Sequence, residues 1–181
     1  MPQRPAARGE ALTEKAARVE LEGELPVGWL GNLAAGLSRR GVSIVRGSAE
    51  RQGRGWRAAF EVVADESQAG HPKDLDFVAF ALEEAGDGSE PVQLESFVLN
   101  VPRRSSAIEL TVRGRDRRGF LAALLERLAL LGLFPERISV ETVHGSAADT
   151  FWLHSLGGSA PTSRSVDALR EFLRGVTKAE S

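Results

Sequence analysis

Ile108, Leu110 and Val112 alternate with Glu109, Thr111 and Arg113, the period-two pattern of a strand with one buried face. A polar turn follows at residues 114–118. Phe120, Leu121, Leu124, Leu125, Leu128 and Leu131 then recur at helical spacing, and Gly132 stands where a helix C-terminal cap belongs. Ile138 and Val140 alternate with Arg137, Ser139 and Glu141, which predicts a second strand. His144-Gly145-Ser146 reads as a turn. A third strand is expected over 150–156, with Phe151 and Leu153 on one face and Trp152 and His154 on the other. Pro161-Thr162-Ser163 opens a helix carrying Val166, Leu169, Phe172 and Leu173. The order is β-α-β-β-α.

The same order occurs earlier in the chain. Sliding the sequence against itself by 91 positions superimposes Gly23 on Gly114, Gly28 on Gly119, Leu30 on Leu121, Leu33 on Leu124, Leu37 on Leu128 and Gly41 on Gly132. Arg46, Ser48 and Glu50 fall on Arg137, Ser139 and Glu141, and Phe60 falls on Phe151. These matches sit at turns and at helical spacings, as expected for two copies of one module. The first copy predicts a strand at Val19 and Leu21, a helix over about 28–39, strands at about 42–50 and 56–63, and a helix at about 73–84. It adds a fourth strand at 92–101, for which the second copy offers no equivalent. The expected fold is therefore α+β: two ferredoxin-like βαββαβ modules, each an antiparallel sheet with helices on one face, the second lacking its last strand. Residues 1–15 are expected as a flexible arm, 16–101 as module 1, 102–105 as a linker and 106–178 as module 2. A module of this size is marginal alone. Pairing is expected, either between the two modules or in a homodimer, with Trp56, Trp152 and His154 as candidate contacts.

Composition narrows the chemistry. Hydrophobic residues at 42% and charged residues at 27% describe a globular chain rather than a disordered one. No apolar run approaches the ~20 residues of a membrane span, and the first residues lack the apolar core of a signal peptide. The absence of cysteine removes disulfides, thiolate metal sites and cysteine catalysis. These readings point to the cytoplasm. The net charge of −2 announces no polyanionic partner. It is unevenly spread, however: 11 basic against 16 acidic residues over 1–102, and 12 against 9 over 103–181.

Arg115-Asp116-Arg117-Arg118-Gly119-Phe120-Leu121, joining a strand to a helix, resembles the Asp-Arg-Pro-Gly-Leu-Leu type turn of ACT domains, with Arg118 at the position where proline is commonest. Asp149-Thr150-Phe151-Trp152-Leu153 is similar to that family's third strand. The resemblance covers residues 106–175 and extends more loosely to the first copy. Tandem ACT modules occur in regulators of amino-acid metabolism and in the bacterial uridylyltransferase that senses glutamine. The resemblance implies non-catalytic, regulatory binding of an amino acid or similar small effector at a module interface, with allosteric control of a regulated protein partner. The expected effector-binding residues are Asp116, Arg117, Arg118, Gly119, Phe120, Leu121 and Ser139. The physics of the turn agrees: glycine lets backbone approach a ligand, and the first turn of a helix presents N–H donors to a carboxylate. Asp116 fits two roles, as a cap of the helix or as a partner for a ligand's ammonium. In the first copy the corresponding stretch, Leu25-Pro26-Val27-Gly28-Trp29-Leu30, lacks the acidic residue, and the loop Glu22-Gly23-Glu24-Leu25-Pro26-Val27 is acidic and apolar. Its site is expected to be degenerate or tuned to another ligand.

Three other classes come into question. A tandem module without a working pocket would serve as a dimerisation or protein-docking platform. An RNA-binding reading rests on Arg54-Gly55-Trp56 at the start of a strand, but the alternating aromatics that stack bases are missing and the first copy is net acidic. Enzyme chemistry lacks a motif: His71, His144 and His154 belong to no His-x-Glu pair, serine-nucleophile elbow or phosphate loop. No metal and no cofactor are expected.

Overall fold

The computed structural model describes residues 1–84 and 91–178. It is an α+β structure with one continuous eight-stranded antiparallel sheet and four helices. In chain order the elements are β1 (Ala6–Ala11), β2 (Ala16–Gly23), α1 (Trp29–Arg39), β3 (Val42–Gln52), β4 (Gly55–Ala64), a 3-10 turn (Pro72–Asp74), α2 (Phe77–Leu82), β5 (Ser96–Asn100), β6 (Ile108–Arg115), α3 (Phe120–Leu130), β7 (Leu133–Val143), β8 (Ser146–Ser155) and α4 (Ser163–Val176). The strands lie side by side as β1-β2-β4-β3-β7-β8-β6-β5. Along β2, β4, β6 and β8 buried and exposed residues alternate, so one face of the sheet carries the core and the other carries polar side chains. The core is a single cluster drawn from both halves of the chain. It includes Phe60 and Phe151, which the 91-residue offset superimposes, and Leu33 and Leu37 with their counterparts Leu124 and Leu128.

The internal offset reappears in backbone detail. Gly28 and Gly119 open α1 and α3 with left-handed dihedrals of φ 82° and 83°. Gly41 and Gly132 follow those helices at φ 72° each. β3 is bulged between Ile44 and Arg46, and β7 is bulged between Pro135 and Arg137. The extra residues, Val45 and Glu136, are again 91 apart.

The two halves meet where β3 pairs with β7, with Ser48 opposite Ser139, Arg46 opposite Glu141 and Glu50 opposite Arg137. An antiparallel pairing centred on a residue and its own counterpart is self-complementary. Arg46 and Arg137 are counterparts, as are Glu50 and Glu141, so the repeat places a cation opposite an anion at both ends of the contact. Above the sheet α1 packs on α3.

Three expectations are corrected. Residues 1–15 are not a free arm: β1 pairs with β2 along its whole length, from Ala6 opposite Glu22 to Ala11 opposite Ala17. It is held from above as well, with His71 Nε2 2.7 Å from the Thr13 carbonyl oxygen. The strand expected at 92–101 does not close the first copy. The part of it that forms a strand, β5, pairs with β6 and fills the edge that the second copy was expected to lack. Each edge strand therefore precedes its own half instead of following it. Backbone links between Leu94 and the end of α4 tie the approach to β5 into the second half: the Leu94 N–H donates to Val176 O at 2.9 Å and the Lys178 N–H to Leu94 O at 3.1 Å. The helix expected at 73–84 is shorter than its pattern predicts, a 3-10 turn and then α2, whose start is capped by Asp76 Oδ1 accepting from the Ala79 N–H at 2.9 Å.

Candidate functional site

Each half contributes a strand-to-helix turn, and each turn faces the other half. The turn at 116–122 looks onto Ala34 and Ser38 of α1 and Val42 to Ile44 of β3. The turn at 25–31 looks onto Leu125 and Ala129 of α3 and Leu133 to Pro135 of β7. Under the 91-residue offset these are one site built twice, but the two versions differ greatly. The first encloses a space of about 30 Å³, roughly that of a single water. The second encloses about 280 Å³, room for a small organic molecule.

The residues explain the difference. At the tight site Arg118 forms an ion pair across the halves with Asp65, and this strap ties the turn to the residue that follows β4. Their counterparts at the open site are Val27 and Leu156. These cannot pair by charge, and they stand at the rim 61% and 66% exposed. Behind the tight turn lies a carboxyl pair. Asp149 is fully buried in β8 and accepts from the Glu141 N–H at 3.3 Å. Burial pushes its carboxyl up to about 7, the Glu141 bond opposes that, and the neighbouring Asp116 adds to it. Asp116 is also raised by burial, against a lowering hydrogen bond from Thr142. At the open site the counterparts of Asp116 and Asp149 are Leu25 and Ala58, both buried and apolar.

The open cavity is lined on one side by Leu25, Trp29 and Trp56 and on the other by Leu125, Leu133 and Phe134. Trp29 and Trp56 meet edge to face with centroids 5.3 Å apart. The polar side chains in the wall form a short series. Glu136, the bulge residue of β7, lies 3.4 Å from Arg51 and 3.5 Å from His154 Nδ1. His154 Nε2 is 3.2 Å from Ser106 Oγ. The 3.5 Å separation at Nδ1 is beyond ordinary hydrogen-bond length, and this buried nitrogen has no hydrogen-bond partner.

Of the residues expected to bind an effector, Asp116, Arg117, Gly119, Phe120 and Leu121 do gather at the tight turn. Arg118 pairs with Asp65, and together with Arg117 and Phe120 it lines a separate polar cavity of about 420 Å³ on the other side of the turn, with His144 and Lys178. Ser139 is not there. It is exposed on β7 opposite Ser48, at the centre of the contact between the halves. The repeat identities around it record that pairing rather than a pocket. Asp116 is not a helix cap: the N-cap of α3 is Gly119, with no side-chain bond. Trp56 and His154, expected as contacts between modules, are here in the wall of one cavity. Trp152 instead lies beneath the Arg137 guanidinium at 4.5 Å.

The sequence pattern points to the second copy as the working site and passes over Trp29, Leu125, Phe134 and Glu136. A usable signal exists: the pair Asp65 and Arg118 becomes Leu156 and Val27 under the offset. Recognising it requires knowing that the two positions touch. Among the described residues no group of acidic or histidine side chains is arranged to hold a metal ion, and no helix is long and apolar enough to cross a membrane. No protein-family model matches this chain, and no curated protein matches it.

Proposed function

We propose that this chain is a non-catalytic regulatory protein: two ferredoxin-like, ACT-like modules joined through β3 and β7 that bind a small effector, an amino acid or a similar molecule, between them. One observation carries the reading, the cavity of about 280 Å³ between the turn that opens α1 and the α3–β7 face of the opposite half. A ligand there touches both halves at once, so its binding energy favours one arrangement of the modules over others. Pairing within one chain supplies the interface, so the site needs no second copy. We read the effector site as the cavity at residues 25–31 rather than the space facing α1 and β3 at the turn 116–122, which is only about 30 Å³ where Arg118 pairs with Asp65. A cytoplasmic setting and a protein partner that reads out the ligand belong to the same proposal.

The test is a thermal-shift screen of the twenty amino acids and purines. A ligand that binds only the folded state must raise the melting temperature. At least one compound is expected to do so, and Ala129→Phe, which places a ring in the cavity from the α3 side, is expected to abolish the shift. If no compound shifts wild type, the reading fails and a ligand-free docking platform takes its place.

A further inference from the structure

We infer that the polar cavity on the other side of the 116–122 turn is a second ligand site, which binds the phosphoryl group of a small phosphorylated molecule through Arg115, Arg117 and Lys178. The cavity encloses about 420 Å³ and is separate from the one at residues 25–31. Three stretches of the second half bring polar groups to its wall. β6 and the turn after it supply Arg115, Arg117 and Arg118, the β7–β8 hairpin supplies His144 and Ser146, and the end of α4 leads to Lys178. Backbone contacts hold these stretches together. Arg115 stands opposite Ser146 in the β6–β8 ladder. The Asp116 N–H donates to Gly145 O at 2.9 Å, and the Lys178 N–H donates to Leu94 O at 3.1 Å.

Charge sets the class of ligand. Arg115, Arg117, His144 and Lys178 are exposed, so a ligand can reach them. Among the described residues no carboxylate forms an ion pair with Arg115, Arg117 or Lys178. Arg118 is already opposed by Asp65. Glu95 is the one carboxylate in the described wall, and Asp116, between the two arginines, lines the small space facing α1 instead. Three unopposed cations against one carboxylate leave a surplus that matches the −1.5 to −2 charge of a phosphoryl group, roughly. The directions of the donors favour phosphoryl over carboxylate. Guanidinium forks, an ammonium, an imidazole and a hydroxyl come from three stretches of chain. A phosphoryl group spreads three acceptor oxygens around phosphorus, whereas a carboxylate holds two in one plane. The volume is many times the ~30 Å³ share of one water, which leaves space for the rest of the molecule. The 91-residue offset makes the cluster particular to the second half: Arg115, Arg117, Arg118 and His144 correspond to Glu24, Pro26, Val27 and Gly53.

The full chain labelled with nitrogen-15 is titrated at constant ionic strength with inorganic phosphate and, separately, with succinate, an anion of similar charge built from carboxylates. Saturable shifts are expected from phosphate at the amides of 115–118 and 144–146, with the indole signals of Trp29 and Trp56 unmoved. Succinate is expected to bind about tenfold more weakly. Arg115→Gln and Arg117→Gln change exposed side chains. Each is expected to weaken phosphate about tenfold, from the loss of a charge-assisted hydrogen bond. Arg8→Gln removes the same charge from β1, at the far edge of the sheet, and is expected to leave the affinity unchanged. Absence of saturable binding of phosphate to wild type overturns the inference, and so does equal affinity for succinate; neither result depends on a variant folding. An equal loss in Arg8→Gln would reduce the effect to the overall charge of the chain and overturns it too. Shifts at the Trp29 and Trp56 indoles in place of the 144–146 amides would put the anion in the other cavity, with the same consequence. The effector reading of the cavity at 25–31 does not depend on any of these outcomes.

Discussion

Asp149 is the side chain whose environment departs furthest from what its position in the sequence advertises. Within β8 it occupies a core-facing place between Ala147 and Phe151, all three buried. Its carboxyl titrates near 7 instead of the ordinary 3.8, chiefly through burial. The folded protein therefore holds this proton more tightly than the unfolded chain does. The associated stability is fully present below about pH 4 and is lost as the pH rises through about 7. Asp116, raised in the same direction, adds to the trend. Asp149→Asn keeps an oxygen for the Glu141 N–H and cannot ionise. Urea unfolding is expected to show this variant about 1–3 kcal/mol more stable than wild type at pH 8, because each tenfold difference in proton affinity between the folded and unfolded chain is worth ~1.4 kcal/mol. Its stability between pH 4 and pH 7 is expected to be flatter. A wild-type profile that rises across that interval would refute the assignment. The sequence could not disclose this: Asp149 and Asp116 are 33 positions apart, and the burial of the pair comes from a sheet register.

At the scale of elements, what could be read in the sequence depended on whether a segment carried its own hydrophobic pattern. β6, α3, β7, β8 and α4 have amphipathic periods, and they form close to where those periods predict. β1 has no such pattern. Its six residues, Ala-Ala-Arg-Gly-Glu-Ala, are all exposed, and it is a strand because the edge of β2 offers backbone partners. A segment specified by its neighbour's open edge is invisible to a reading of periodicity. β5 was legible as a strand, but its partner was not: Phe97 and Leu99 alternate equally well beside β2 or beside β6. The site divided in the same way. The turn at 116–121 could be found from its residues, whereas its closure by Arg118 and Asp65 depends on contact between the halves. If β1 contributes as its pairing implies, deleting residues 1–13 removes a full ladder of backbone bonds and uncovers β2. The truncated protein is expected to unfold at lower urea concentration than wild type, and an unchanged midpoint would show that the edge strand adds nothing.

For the molecule as a whole, the joint between the halves is built like the halves themselves. β3 and β7 continue one sheet, α1 packs on α3, and the buried core is a single cluster. The buried side chains run without a break from one half to the other. Heat or urea is therefore expected to unfold the chain in one step. The far-ultraviolet signal of the backbone and the fluorescence of the tryptophans in both halves should change together. Two separated transitions would mean that the contact between β3 and β7 is weaker than its register suggests.

The placement of each edge strand ahead of its own half also bears on synthesis. β1 leaves the ribosome ahead of β2, β3 and β4, so the first four-stranded unit is complete by Leu82 and needs no residue from the second half. It can fold while the second half is still being translated, since domains fold as units from the N-terminal side. Until β7 arrives, however, β3 lies on the outside of that unit with its backbone groups unpaired, and its Arg46-to-Glu50 stretch matches its own reverse as well as it matches β7. Two nascent or prematurely terminated chains meeting at this point would join through β3 in the way the finished halves do. The arrangement that lets the first half fold early thus also creates an interval in which the most available partner is another copy of itself.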